Sequence, residues 1–285
     1  MSQKINAIVF SKDRPAQLNL LLESIKKNAP GVFDLNVIVS HTSEEFDKGY
    51  GRVIHNPEFS DVKFFFAESE FKEQVMRLLS VEGKYSCFFL DDDLIYREVK
   101  LADIETQLEL DDDVACFSLR LGENTKNCYT LGTNNVLHDM EHVQNTMKWD
   151  WTLHYLDFGY PFAMDGHIFR KSDIYKLVKK SKFTGVEELE MALFDFTEMF
   201  PRNKMVSYKY SALVGVPIGR VQQSIDDEMT IALQESKARV MRVEMNNQFL
   251  DNNFISLEKI DFSEINGCHQ DLNLGVKIKK QQENE

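Results

Sequence analysis

Cysteine is scarce in this chain and never paired. Cys87, Cys116, Cys128 and Cys268 are the full set, and no two stand at Cys-x-x-Cys spacing. That argues against a zinc ribbon or a disulfide framework and places the expected setting in a reducing compartment, the cytoplasm. Glycine, at 13, and proline, at 6, are sparse for 285 residues, which excludes collagen-like and low-complexity chains. No apolar run approaches the ~20 residues of a membrane helix, so no transmembrane segment is expected. The opening MSQKINAIVFSKDRP has too short an apolar stretch for a secretory signal. Basic residues are outnumbered 33 to 46, for a net charge of −13. A phosphate backbone would be repelled, so no nucleic-acid partner is expected. Lys277, Lys279 and Lys280 leave room for peripheral contact with a membrane surface.

Hydrophobic residues make up 43% of the chain, with 21 phenylalanines, enough for a full core. Short apolar runs at 5–10, 35–40, 62–66, 85–90 and 114–119 read as buried strands. Between them, helical spacing appears in Leu18, Leu21, Leu22 and Ile25, behind a Pro15 suited to a helix start. It appears again in Phe71, Val75, Leu78 and Leu79. The alternation predicts an α/β fold with a mostly parallel sheet flanked by helices. Residues 120–166 break the pattern and read as an irregular insertion. Helices are expected over 172–180, from Thr184 onward, and over 224–247. The pattern Thr184-Gly185-Val186-Glu187 predicts a capping box in which Glu187 closes the helix start, leaving Glu188 free.

The most informative run is Cys87-Phe88-Phe89-Leu90-Asp91-Asp92-Asp93. An apolar strand ends on three carboxylates, and open α/β sheets bind ligands outside the carboxyl ends of their strands. Adjacent carboxylates raise one another's pKa, a cost relieved by a divalent cation. Mg2+ or Mn2+ takes oxygen ligands, commonly one or two carboxylates plus substrate phosphates. Asp111-Asp112-Asp113 precedes a strand instead of ending one, and reads as a surface turn at the opposite sheet edge.

Over roughly residues 5–215 the chain resembles glycosyltransferases of the GT-A fold, closest in pattern to family 2. Residues 8–15, Ile-Val-Phe-Ser-Lys-Asp-Arg-Pro, are similar to the first strand and loop, and Phe89 to Asp93 looks like the Asp-x-Asp motif. Residues 165–172 resemble the segment before the catalytic helix, and Glu187-Glu188 the acidic pair that opens it. The resemblance implies a GT-A-like domain over 1–220, with a nucleotide-sugar-binding half (1–119) and an acceptor-side half (120–220). A helical extension (221–275) and a flexible tail (276–285) would follow. It implies transfer of a sugar from a nucleotide-sugar, a UDP- or GDP-sugar, to a glycan, lipid or protein acceptor, with inversion. Mn2+ or Mg2+ would sit on Asp93 and Asp91. Phe10, Ser11, Arg14, Arg77, Asp91 and Asp92 would border the donor, with Gln74 a further contact. Glu188 or Asp165 would be the catalytic base, Asp165 lying beside a Gly166 that admits a ligand to the backbone. Some members add a late histidine to the metal, which points to His269. The chain departs from the family pattern in Glu187-Glu188-Leu189-Glu190, and in Ala192 and Leu193 where a basic position would follow.

Trp149, Trp151, His154 and Tyr155 are candidates for stacking on a sugar. Two other readings compete. One is a binding protein that kept the fold without catalysis. The other is a nucleotidyltransferase, disfavoured because the loop from Ser11 to Pro15 has no glycine.

Overall fold

The computed structural model describes residues 3–218 and 228–276, with backbone alone for 228–234. The first half runs β1 (Ile5–Lys12), α1 (Pro15–Asn28), β2 (Phe33–Ser40), α2 (Glu44–Ile54), β3 (Lys63–Phe66), α3 (Phe71–Leu79), β4 (Tyr85–Leu90), β5 (Asp93–Ile95), α4 (Leu101–Leu110) and β6 (Val114–Ser118). The second half runs β7 (Asn127–Cys128), β8 (Thr133–Asn134), β9 (Glu141–Val143), β10 (Thr146–Asp150), β11 (His167–Arg170), α5 (Lys171–Lys180), α6 (Val186–Phe194), β12 (Lys204–Tyr208), β13 (Leu213–Gly215) and α7 (Glu228–Leu250).

The main sheet has the order β3-β2-β1-β4-β11-β6-β12-β10-β9. Strands β3, β2, β1 and β4 are parallel, as are β6 and β12. β11 is antiparallel to both of its neighbours, and β10 to both of its own. The chain winds outward from β1 to β3, then returns to place β4 on the other side of β1. The crevice between the ends of β1 and β4 is therefore the topological switch point, the preferred ligand site of such sheets.

Side-chain alternation divides the core. Ile5, Ala7 and Val9 face one layer with Tyr85, Cys87 and Phe89, covered by α1, α2, α4 and α7. Ile8, Phe10 and Phe88 face the other, covered by α3, α5 and α6. Pro15 occupies the first turn of α1, as its missing N–H predicts. Leu18, Leu20, Leu21 and Leu22 are all buried, because β5, α2 and α7 pack around the helix face that the sheet leaves open.

One expectation changes: residues 120–166 are not wholly irregular, since residues 146–150 form β10, which extends the sheet through β12. Two further helices, α2 and α4, stand in stretches where no element was read. In α2, Phe46, Tyr50 and Val53 make an apolar face obscured by the surrounding charge. Residues 204–215 hold two separate short strands, β12 and β13. Asp111-Asp112-Asp113 does lie before β6, at the sheet end away from β4's terminus, with Asp111 bound to Lys148 at 3.1 Å. The boundary between 220 and 221, the start of a helix at 224, and the lysines of the tail fall outside the described residues.

Candidate active site

The ends of β1 and β4 are in register, Phe10 opposite Leu90, so the loops that follow them meet. The Lys12 backbone N–H donates to Asp91 Oδ2 at 3.1 Å, and Arg14 Nη1 donates to Asp91 Oδ1 at 3.1 Å. The same guanidinium lies 3.6 Å from Asp92 Oδ2. Asp93 folds back, its Oδ2 accepting the Leu90 N–H at 2.9 Å. All three carboxylates are buried. Burial raises the Asp91 pKa, Arg14 opposes the rise, and Asp92 adds to it.

The first loop is held from two sides. Asp13 sits at a φ of +56°, a conformation Asp tolerates better than most residues. Its carboxylate accepts from the Thr42 N–H at 2.7 Å and the Thr42 hydroxyl at 2.9 Å. Tyr50 of α2 shares a hydrogen bond with Ser11 Oγ at 2.7 Å and accepts the Arg14 N–H at 3.1 Å. From the C-terminal helix comes Arg242, whose guanidinium feels the charges of Arg14, Asp13 and Asp91, with burial pushing its pKa down. Helix α7 is fixed there by Gln17 against Met245 and by Asn246 Nδ2 donating to the Glu45 carbonyl at 2.8 Å.

A second cluster lies on the acceptor side. Arg120 Nη1 reaches both oxygens of Asp165 at 2.6 Å, and its Nη2 reaches Asp157 Oδ1 at 2.8 Å. His269 Nε2 is 3.1 Å from Asp165 Oδ2. Burial alone would raise the Asp165 carboxyl, but Arg120 and His269 hold it well below the usual carboxylate range. The clusters meet at β5–β13, where Asp93 pairs with Gly215. Gly215 bridges His269, and a Cβ on Gly215 would meet its imidazole. Asp93 and Asp165 both act on the buried Cys87 thiol, which burial raises.

The other site residues divide as follows. Phe10 packs on Phe71 and Phe88 at 5.8 and 6.1 Å, so its ring is core and only its backbone borders the crevice. Gln74 is committed to the Phe66 carbonyl and the Glu68 N–H, and Arg77 is exposed and paired with Glu68 at 2.6 Å. Trp149 and Trp151 are buried and donate to the Phe158 and Arg202 carbonyls. His154 is buried against His138, whereas Tyr155 is 86% exposed. Gly166, at a φ of +74°, yields its space to Leu213, 2.8 Å from where a Cβ would stand, and not to a ligand.

The capping assignment is corrected. Gly185, not Thr184, is the N-cap of α6, which shifts the frame by one residue. Glu188 reaches back to the Thr184 N–H at 2.7 Å and hydroxyl at 2.9 Å. Glu190 is the carboxylate turned inward. It hydrogen-bonds Tyr160, whose ring stacks on Phe194 and whose pKa burial and Glu190 both raise, with Arg120 and Asp165 close by. Arg120, Asp157, Tyr160, Tyr50 and Arg242 were missed in the sequence, since none stands in a local motif, and Glu190, although part of the Glu187 to Glu190 run, was passed over for Glu188.

No family model matches the chain. It is 26% identical over 267 residues to the bifunctional glycosyltransferase pgtA of Dictyostelium discoideum, covering 81% of this chain and 34% of that protein. The chain thus spans about a third of that relative's length. The strand order, with the carboxylates after β4 at the switch point, gives the architecture. The chain has a GT-A-like α/β fold. Solved structures with lower likeness to this GT-A-like chain include S. aureus TarS, at a TM-score of 0.48, 16% identity, and coverage of 84% of this chain and 43% of that one. Another is the mannosyltransferase PcManGT of Pyrobaculum calidifontis in complex with GDP-Man and Mn2+, at 0.45, 10%, 88% and 75%.

Proposed function

We propose that this chain is a metal-dependent glycosyltransferase that moves a sugar from a UDP- or GDP-sugar to a glycan, lipid or protein acceptor, with inversion. The observation that carries the reading is the run of buried carboxylates at the switch point, with Arg14 laid across two of them. Four buried, free cysteines favour a reducing compartment, the cytoplasm. Among the described residues no helix is long and apolar enough to cross a membrane.

The donor set suits a divalent cation shared with substrate. Among the described residues no three His, Cys, Asp or Glu side chains form a ready metal cage. Mg2+ and Mn2+ sites of this kind use one or two carboxylates and leave the remaining positions to phosphate and water. Asp93 and Asp91 would hold the ion. Bound, it supplies Lewis-acid stabilisation to a departing nucleoside diphosphate. Asp91 also organises the first loop through Lys12 and Arg14, and the loop of Ser11 and Arg14 borders the nucleotide. Arg14 and Arg242 place two guanidinium charges where diphosphate oxygens would lie.

In the transfer an acceptor hydroxyl oxygen attacks the anomeric carbon. The bond from that carbon to the phosphate oxygen breaks with its electron pair, and the hydroxyl proton passes to a carboxylate. Asp165 is a poor base, because its ion pair with Arg120 stabilises the charged form. Glu188 is exposed and occupied by Thr184. We therefore read Glu190 as the base and Asp165 as the group that orients Arg120 and His269. The test is release of nucleoside diphosphate from a panel of UDP- and GDP-sugars with Mn2+ and mixed acceptors. Turnover that needs the metal and an acceptor supports the reading. Nucleotide binding without turnover on any acceptor would leave a binding protein.

A further inference from the structure

An open cavity of about 480 Å3 lies in the second half of the chain, lined by Lys126, Asn127, Asn134, Asn135, Leu137 and Asn266. Its size falls within the roughly 300–1,000 Å3 of small-molecule sites, but its lining is unlike an apolar pocket. Four of the six side chains are carboxamides. A carboxamide donates and accepts at once, as does every sugar hydroxyl. Among the described residues no carboxylate lines the cavity to hold a cation.

The amides converge from distant parts of the chain. Asn127 and Asn134 face each other across the β7–β8 pair, and the Asn127 N–H donates to the Asn266 carbonyl at 2.9 Å. The side chains of Asn127, Asn134 and Asn266 are exposed, and among the described residues none makes a hydrogen bond. Asn135 is the anchored member, buried, with Nδ2 donating to Asp157 Oδ2 at 2.9 Å and to the Thr125 carbonyl at 3.2 Å.

Two paths join the cavity to the centre of transfer. Through side chains, Asn135 binds Asp157, Asp157 binds Arg120, and Arg120 binds Asp165. Through the backbone, Asn266 stands three residues before His269, at most about 11 Å of chain, and His269 borders the strand paired with Asp93.

We propose that this cavity holds a neutral saccharide unit of the acceptor, so that the acceptor is a glycan bound beyond the hydroxyl that receives the sugar. The inference rests on the reading of the chain as a glycosyltransferase. The amides recognise hydroxyl pairs at the cavity, while the Arg120–Asp165–His269 group sets the reactive end.

The test is a printed array of neutral oligosaccharides probed with the full chain, UDP or GDP and Mn2+, beside the double variant Asn134→Ala, Asn266→Ala. Both side chains are exposed and unbonded, so the variant should melt with the wild type and bind nucleotide equally. The expected result is a defined set of neutral glycans bound by the wild type and at least tenfold weaker binding by the variant. Equal glycan binding by the two proteins, or none by a wild type that binds nucleotide, overturns the cavity assignment and leaves the glycosyltransferase reading standing. A wild type that binds neither nucleotide nor glycan overturns both.

Discussion

Glu188 and Glu190 are two positions apart, roughly 200° around a helix, and that rotation separates their tasks. Glu190 shares a face with Phe194, four residues on, and Phe194 stacks on Tyr160. Glu188 points away and closes the helix start. Replacing Glu190 with Gln is expected to lower kcat by about 100-fold or more, the range of a general base, with donor KM little changed. Glu188→Gln should cost only a little helix-start stability, with kcat near that of the wild type. Steady-state kinetics and melting of the two variants check the assignment, and the reverse pattern would return the role to Glu188. Arg242→Gln should weaken a nucleoside diphosphate about tenfold and leave the corresponding nucleoside unaffected, as isothermal titration would read. Equal effects on both ligands would make Arg242 a support of the loop.

At the scale of elements, the docking of α7 depends on a small residue in α2. A Cβ on Gly49 would overlap Asn246 and Pro15, so Gly49→Val is expected to push α7 from its seat. Because Arg242 rides on α7, that variant should lose nucleotide affinity along with stability, by about 1–3 kcal/mol as overpacking typically costs. Denaturant melts and nucleotide titrations together check the coupling. The coarse order of elements was readable because β1, β4 and β6 are short, mostly apolar runs and α1 and α3 keep helical spacing. The carboxylate run was readable because strand and motif are contiguous. What could not be read depends on distance in the chain. Arg120 meets Asp165 across 45 positions, and Arg242 meets Asp91 across 151. Trp149 looked like a sugar platform because nothing local shows that residues 146–150 pair with β12 and bury it.

For the whole molecule, the buried polar centre makes acid stability a property of the fold. His167 is buried beside Cys116 and the Pro161 carbonyl. Burial, with the charge of Arg120, pushes it down to about 4. Between pH 6.5 and 4 the unfolded chain takes a proton there that the native state refuses. Stability therefore falls as pH drops through that window, by ~3 kcal/mol in full. Asp165, held low by Arg120, adds a further loss as pH falls below the usual carboxylate value toward its own depressed one. Urea unfolding from pH 7.5 to 4 should show the first slope, and His167→Gln should flatten it.

The role of the carboxylates after β4 is tested most directly by a thermal-shift comparison of wild type and Asp93→Asn with UDP and GDP, each with and without Mn2+. A nucleotide at a hundred times its dissociation constant should add about 2.7 kcal/mol to the folded state. The expected result is a rise that requires Mn2+ in the wild type and vanishes in the variant, with the ligand-free melting point kept. Identical shifts in the two proteins would contradict it.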